Sequence, residues 1–169
     1  MPSIETVRKI SPKVLLKIID KAKKYLKTND VYLKMCKDFD IDPDTIDVIP
    51  MKFGDIDVSA RTEKGIITFN YKLLCDGDFI KDYMYALHEI AHTYQQCYGD
   101  KPSIGANEGD YLSNPYEEEG FQYQLKYIEN EQGPEQAEKY VDHLLEHHEV
   151  SDPKERKEKK EILLEKTDV

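Results

Sequence analysis

The sequence predicts an α+β fold, with a small antiparallel sheet set among helices, on three observations. Apolar residues recur at helical spacing near the N-terminus, the period shortens between residues 46 and 74, and helical segments opened by Asx-Pro or Gly-Pro fill the rest. The 169 residues suit one domain of ordinary size, and 39% hydrophobic against 34% charged residues implies exposed helix that buries little.

In chain order, residues 12–28 come first: Val14, Leu15, Ile18, Ile19, Ala22, Tyr25 and Leu26 form one apolar stripe, opened by Ser11-Pro12 as cap and first helical residue. A second helix is expected over 31–39, closed before Asp42-Pro43. Ile46–Phe53, Ile56–Thr62 and Gly65–Leu74 are rich in Ile, Val, Phe and Tyr and are separated by Gly54-Asp55 and Lys64-Gly65, which predicts two or three antiparallel strands. A long helix follows over 78–98 and stops at Gly99. Residues 100–113, with Pro102, Gly105, Asn107 and Gly109 and no period, read as a loop. Asn114-Pro115 opens a helix to about Glu131, and Gly133-Pro134 opens another to about Glu149. Asp152-Pro153 starts a last segment whose apolar anchors are only Ile162, Leu163 and Leu164. The expected organisation is therefore a domain over 1–150 and a charged, helical or disordered tail over 151–169.

The net charge of −10 argues against a general nucleic-acid binder. Charge is uneven: Arg8 to Lys27 holds eight Lys or Arg against Asp20, so the remainder carries −17. That lysine-rich face is read as solvated, with an anionic surface or partner as the alternative. No apolar run reaches the roughly 20 residues that span a bilayer, and with no signal-like apolar core at the N-terminus a cytoplasmic location is expected. Cys36, Cys75 and Cys97 are sparse and odd in number, as expected of reduced, mostly buried thiols.

The residues that carry chemistry lie at 85–94, Tyr-Ala-Leu-His-Glu-Ile-Ala-His-Thr-Tyr, an H-E-x-x-H within the long helix. Positions i and i+4 share a helix face, so His88 and His92 can reach one zinc ion at about 2.0–2.1 Å. Glu89 then lies beside the metal-bound water, where it can take a proton as that water attacks a carbonyl. Catalytic zinc takes three protein ligands plus water. Gln95, Gln96 and Tyr98 stand where a third histidine would follow, so a glutamate from a later helix is expected, and the segment 114–121 supplies it.

In these two stretches, His88–His92 and Asn114-Pro115-Tyr116-Glu117-Glu118-Glu119-Gly120-Phe121, the chain resembles the gluzincin branch of the zincin metallopeptidases. It is most similar to the minimal minigluzincins and to short intracellular H-E-x-x-H proteins with an N-P-x-E-x-E-small second motif. The resemblance spans roughly residues 45–130. It implies a zincin-like fold, one catalytic zinc, a peptide or protein substrate, and Glu117 as third ligand, because Gly120 fills the small position three residues later. Glu118 with Gln122 is the competing register, and a capping-box role toward Asn114 is the alternative for Glu117. The family often has Asp or Asn next, supporting a ligand; this chain has Phe121. The resemblance also implies that an extended peptide binds along an edge strand, for which Gly65–Leu74 is the candidate. A stabiliser of the transition state is expected near the metal, with Tyr111, Tyr116 and Tyr123 as candidates. His143, His147 and His148 form a second cluster, read as a surface helix face, a donor of that stabiliser, or an adventitious metal site.

The expected activity is therefore peptide-bond hydrolysis with Glu89 as general base. Two rivals remain: a latent or regulatory protein whose cleft is blocked by its own terminal segment, and a binding module with a structural zinc.

Overall fold

Eight helices, one 3₁₀ turn and three strands make up the computed structural model among the described residues, 3–75, 83–98, 112 and 114–168. They fall into two units, Met1–Thr93 and Tyr94–Val169.

The first unit begins with α1 (Ile4–Arg8) and α2 (Pro12–Leu26), where Ser11 Oγ accepts from the Val14 amide at 3.3 Å as N-cap. Only the second half of the expected stripe is core: Ile19, Ala22 and Leu26 are buried, whereas Val14 is 45% exposed. Lys23 is buried as well, and its ammonium donates to the Ile49 carbonyl at 2.6 Å. Burial holds that group below the ordinary lysine range, against the opposing pull of Asp20 and Asp47. Helix α3 (Asp30–Phe39) is capped by Asn29 and ends at Asp40 in the left-handed region.

The stretch expected to be a strand over Ile46–Phe53 is split. Asp42 caps a 3₁₀ turn over Pro43–Val48, and β1 covers only Met51–Gly54. The cap and Pro43 start a helical turn before a strand can begin, and Pro50 has no N–H for a ladder. Strands β2 (Ala60–Glu63) and β3 (Ile66–Asn70) form the expected hairpin. Its two-residue turn, Lys64-Gly65, has positive φ at both positions (53° and 79°), as a type I′ turn requires.

The sheet is not antiparallel throughout: its order is β1-β3-β2, with β1 parallel to β3. Gly54-Asp55 therefore opens a crossover and not a hairpin, so β3 returns between the other two strands. Asn70 at the end of β3 secures this crossover by donating to the carbonyls of Ile56 (2.8 Å) and Val58 (3.1 Å). Gly54 permits the close pairing, because a Cβ there would stand 3.0 Å from Thr68 Cγ2. As a result Gly65–Leu74 supplies the central strand, not an edge, and the edges are β1 and β2. After β3 the chain turns into α4 (Lys72–Cys75) and not further strand, since Asn70 Oδ1 accepts from the Lys72 amide as a helix-opening cap.

Helix α5 (Tyr83–Tyr98) carries the H-E-x-x-H residues; the expected beginning of that helix and most of the loop after it lie outside the described residues. The Tyr25 and Tyr83 rings, 5.0 Å apart, set its start against α2.

In the second unit, α6 (Pro115–Gln132) is capped by Asn114, whose Oδ1 accepts from the Tyr116 amide at 2.9 Å. Gly120 through Leu125 are buried without a gap, so the middle of α6 is covered all round, while its end at residues 130–132 is exposed. Gly133, at φ 96°, makes the turn into α7 (Pro134–His147), a conformation costly for any residue with a Cβ.

The segment expected as a helical or disordered tail forms α8 (Pro153–Leu163) and packs on α6 and α7, burying Leu163 and Leu164. Gln122 Nε2 donates to the Ile162 carbonyl at 2.9 Å, Lys166 lies over the Tyr123 ring, and the Asp168 amide donates to Glu129 Oε2 at 2.7 Å. Burial of two leucines at about 2 kcal/mol each, with these hydrogen bonds, makes the tail part of the second unit's core. Deleting 151–169 is expected to lower unfolding stability by about 3–5 kcal/mol, read as an earlier urea midpoint. An unchanged midpoint would show an inert tail, and a gain in peptidase activity would favour the latent alternative.

The thiols are less uniform than expected: Cys36 is buried, Cys75 intermediate and Cys97 exposed. Burial raises the Cys36 thiol's pKa, which leaves it unreactive.

Candidate metal centre

One turn of α5 separates His88 from His92, and their rings stand 4.7 Å apart at 79°. His88 is 5% exposed, and the apolar neighbours Ala86, Leu87, Ile90 and Ala91 are buried, so the core-facing residues of α5 hold this turn in place. Glu117 lies in the first turn of α6 and is 7% exposed, on a helix fixed by its Asn114 cap and by Gln95, which donates to the Tyr116 carbonyl and to Glu119 Oε1, both at 3.0 Å.

His88, His92 and Glu117 each offer one ligand atom, and all three atoms lie within 4.8 Å of one another. Two imidazoles and one carboxylate are the donor chemistry of a hydrolytic zinc, with a fourth position left for water. The residues present therefore fit a divalent metal ion. Of the two registers open in the sequence, Glu117 and Glu118, the one grouped with the histidines among the described residues is Glu117.

Glu89 is 8% exposed and is met by a residue that the motif does not include. Thr62, on β2, donates its hydroxyl to Glu89 Oε1 at 2.9 Å and lies 3.3 Å from the Glu89 carbonyl. No periodicity or spacing in the sequence marks Thr62, because the contact joins residues 27 apart.

The other candidates fare differently. Tyr111 lies outside the described residues, and Tyr123 is buried beneath Lys166 in the docking of the C-terminal segment. On α7, His143 and His147 are exposed with rings 6.1 Å apart, and His147 and His148 are 5.0 Å apart. Among the described residues, these histidines belong to no group of three side chains close enough to hold an ion. Nor is any helix among the described residues long and apolar enough to cross a membrane. In comparisons with known proteins, no family model, no curated protein and no solved structure matches this chain.

Proposed function

We propose that this protein is a zinc-dependent endopeptidase, and the observation that carries the reading is the convergence of His88, His92 and Glu117 donors within 4.8 Å. The two histidines and the glutamate would hold the ion, which supplies Lewis acidity to a bound water and to the scissile carbonyl. Glu89, one residue past the first ligand, takes the proton of the attacking water as the new C–O bond forms. It then delivers that proton to the departing amide nitrogen as the C–N bond breaks.

The substrate strand is assigned to β2 in place of Gly65–Leu74. β2 has one strand neighbour among the described residues, and its Thr62 touches Glu89, so a peptide added along its outer edge would run beside the base.

The direct test is metal content followed by an unbiased peptide-library digest. One zinc per chain and chelator-sensitive cleavage are expected. A protein with one tightly held zinc and no cleavage would be a binding module with a structural or regulatory metal, and a protein with no zinc would remove the proposal altogether.

A further inference from the structure

Glu89 is a flexible side chain with three rotatable bonds, and a general base works only where its carboxylate is held toward the proton it removes. Nothing within the H-E-x-x-H turn supplies that restraint. The structure supplies it from the sheet. Burial alternates along β2, with Ala60 and Thr62 half-buried and Arg61 and Glu63 exposed, so the strand's period of two turns Thr62 inward. Thr62 is paired in register with Ile67 on β3, a fully buried residue, which anchors it to the centre of the sheet.

A threonine hydroxyl carries a single proton. Two acceptors lie near it, Glu89 Oε1 at 2.9 Å and the Glu89 carbonyl at 3.3 Å. The shorter contact is to the group that carries charge when ionised, and charge-assisted bonds are the stronger kind. The carbonyl has another donor, Thr93 Oγ1 at 3.2 Å. The Thr62 proton therefore goes to the carboxylate. A β-branched side chain on a paired strand has little χ1 freedom, so the donor is itself rigid.

We propose that Thr62 is a positioning residue that holds the Glu89 carboxylate in its proton-accepting orientation. This rests on the reading of His88, His92 and Glu117 as a catalytic metal centre, and extends the site from one helix to the edge strand. Thr62 is not among the grouped donor residues, and its side chain meets Glu89, so it acts through Glu89.

The test uses the full-length chain with Thr62→Val, which keeps the shape and removes the hydroxyl, and Thr62→Ser, which keeps the hydroxyl. In Thr62→Val, kcat is expected to fall about 10- to 100-fold with KM changed by less than about twofold, while Thr62→Ser stays within about threefold of wild type. Zinc stoichiometry should be unchanged in both, and the unfolding midpoint should fall in Thr62→Val by no more than the loss of one hydrogen bond to a nearly buried carboxylate. A second readout needs no activity: in the metal-free protein, the ¹³Cδ resonance of Glu89, assigned with Glu89→Gln, should move in Thr62→Val and hold in Thr62→Ser.

Wild-type kcat in Thr62→Val, or a loss that serine does not rescue, would overturn the positioning role while leaving the peptidase reading intact. If Glu89→Gln is as active as wild type, or wild type binds no zinc, the reading of the site fails and the role of Thr62 falls with it. The Glu89 resonance tells the two failures apart, because it reports the Thr62 contact in either case.

Discussion

Glu89→Gln is expected to abolish most hydrolysis, by about 10²- to 10⁴-fold in kcat, while the protein keeps its zinc and its fold. Gln matches Glu in size and still accepts the Thr62 hydroxyl through its amide oxygen, so the contact at 2.9 Å survives. What it loses is the capacity to hold the proton taken from water. Glu89 is not among the grouped donor residues, so metal stoichiometry should match that of wild type. Steady-state kinetics on a substrate from the library digest, together with metal analysis, measures both halves of this expectation. A variant that cleaves at the wild-type rate would remove Glu89 from the mechanism. A variant that loses zinc would mean that Glu89 is a ligand and not the base.

Glu117→Ala is expected to weaken zinc binding by at least about tenfold, and Glu118→Ala to leave it within about twofold. The two residues are adjacent on α6, and only Glu117 brings its carboxylate to His88 and His92. The metal-free fold should tolerate the Glu117 change. A carboxylate only 7% exposed is costly to bury, and its removal offsets much of the lost packing. Competition with a chromogenic chelator reads the affinity directly. Equal zinc retention in Glu117→Ala and wild type would reject the ligand assignment. Loss confined to Glu118→Ala would transfer it to the other register.

What could be read in advance was local. Ser11-Pro12, Asn114-Pro115 and Asp152-Pro153 each open a helix within the structure, because a cap satisfies donors within three residues of itself. Gly133-Pro134 opens one without a side-chain cap, by the positive φ of Gly133 and the preset φ of Pro134. The β2–β3 hairpin belongs with them, since Lys64-Gly65 has the positive φ angles that a tight turn demands. The placing of His88 and His92 on one face is likewise a property of one helical turn.

Strand order, by contrast, depends on which segments bury each other. The sequence of β1 does not show that β3 would enter between it and β2, and this insertion made the sheet mixed and turned the expected edge into its centre. The C-terminal segment looked too poor in apolar residues to dock. Leu163 and Leu164 suffice because α6 presents Gln122, Tyr123 and Glu129 to meet the chain around them. The sequence by itself determined the longer helices, the residue pairs that open four of them, one hairpin and the spacing of two imidazoles, all set by interactions within a few residues. Only the tertiary structure decided which glutamate joins those imidazoles and that Thr62 reaches Glu89. Both are meetings of side chains 25 or more residues apart, and packing alone decides such meetings.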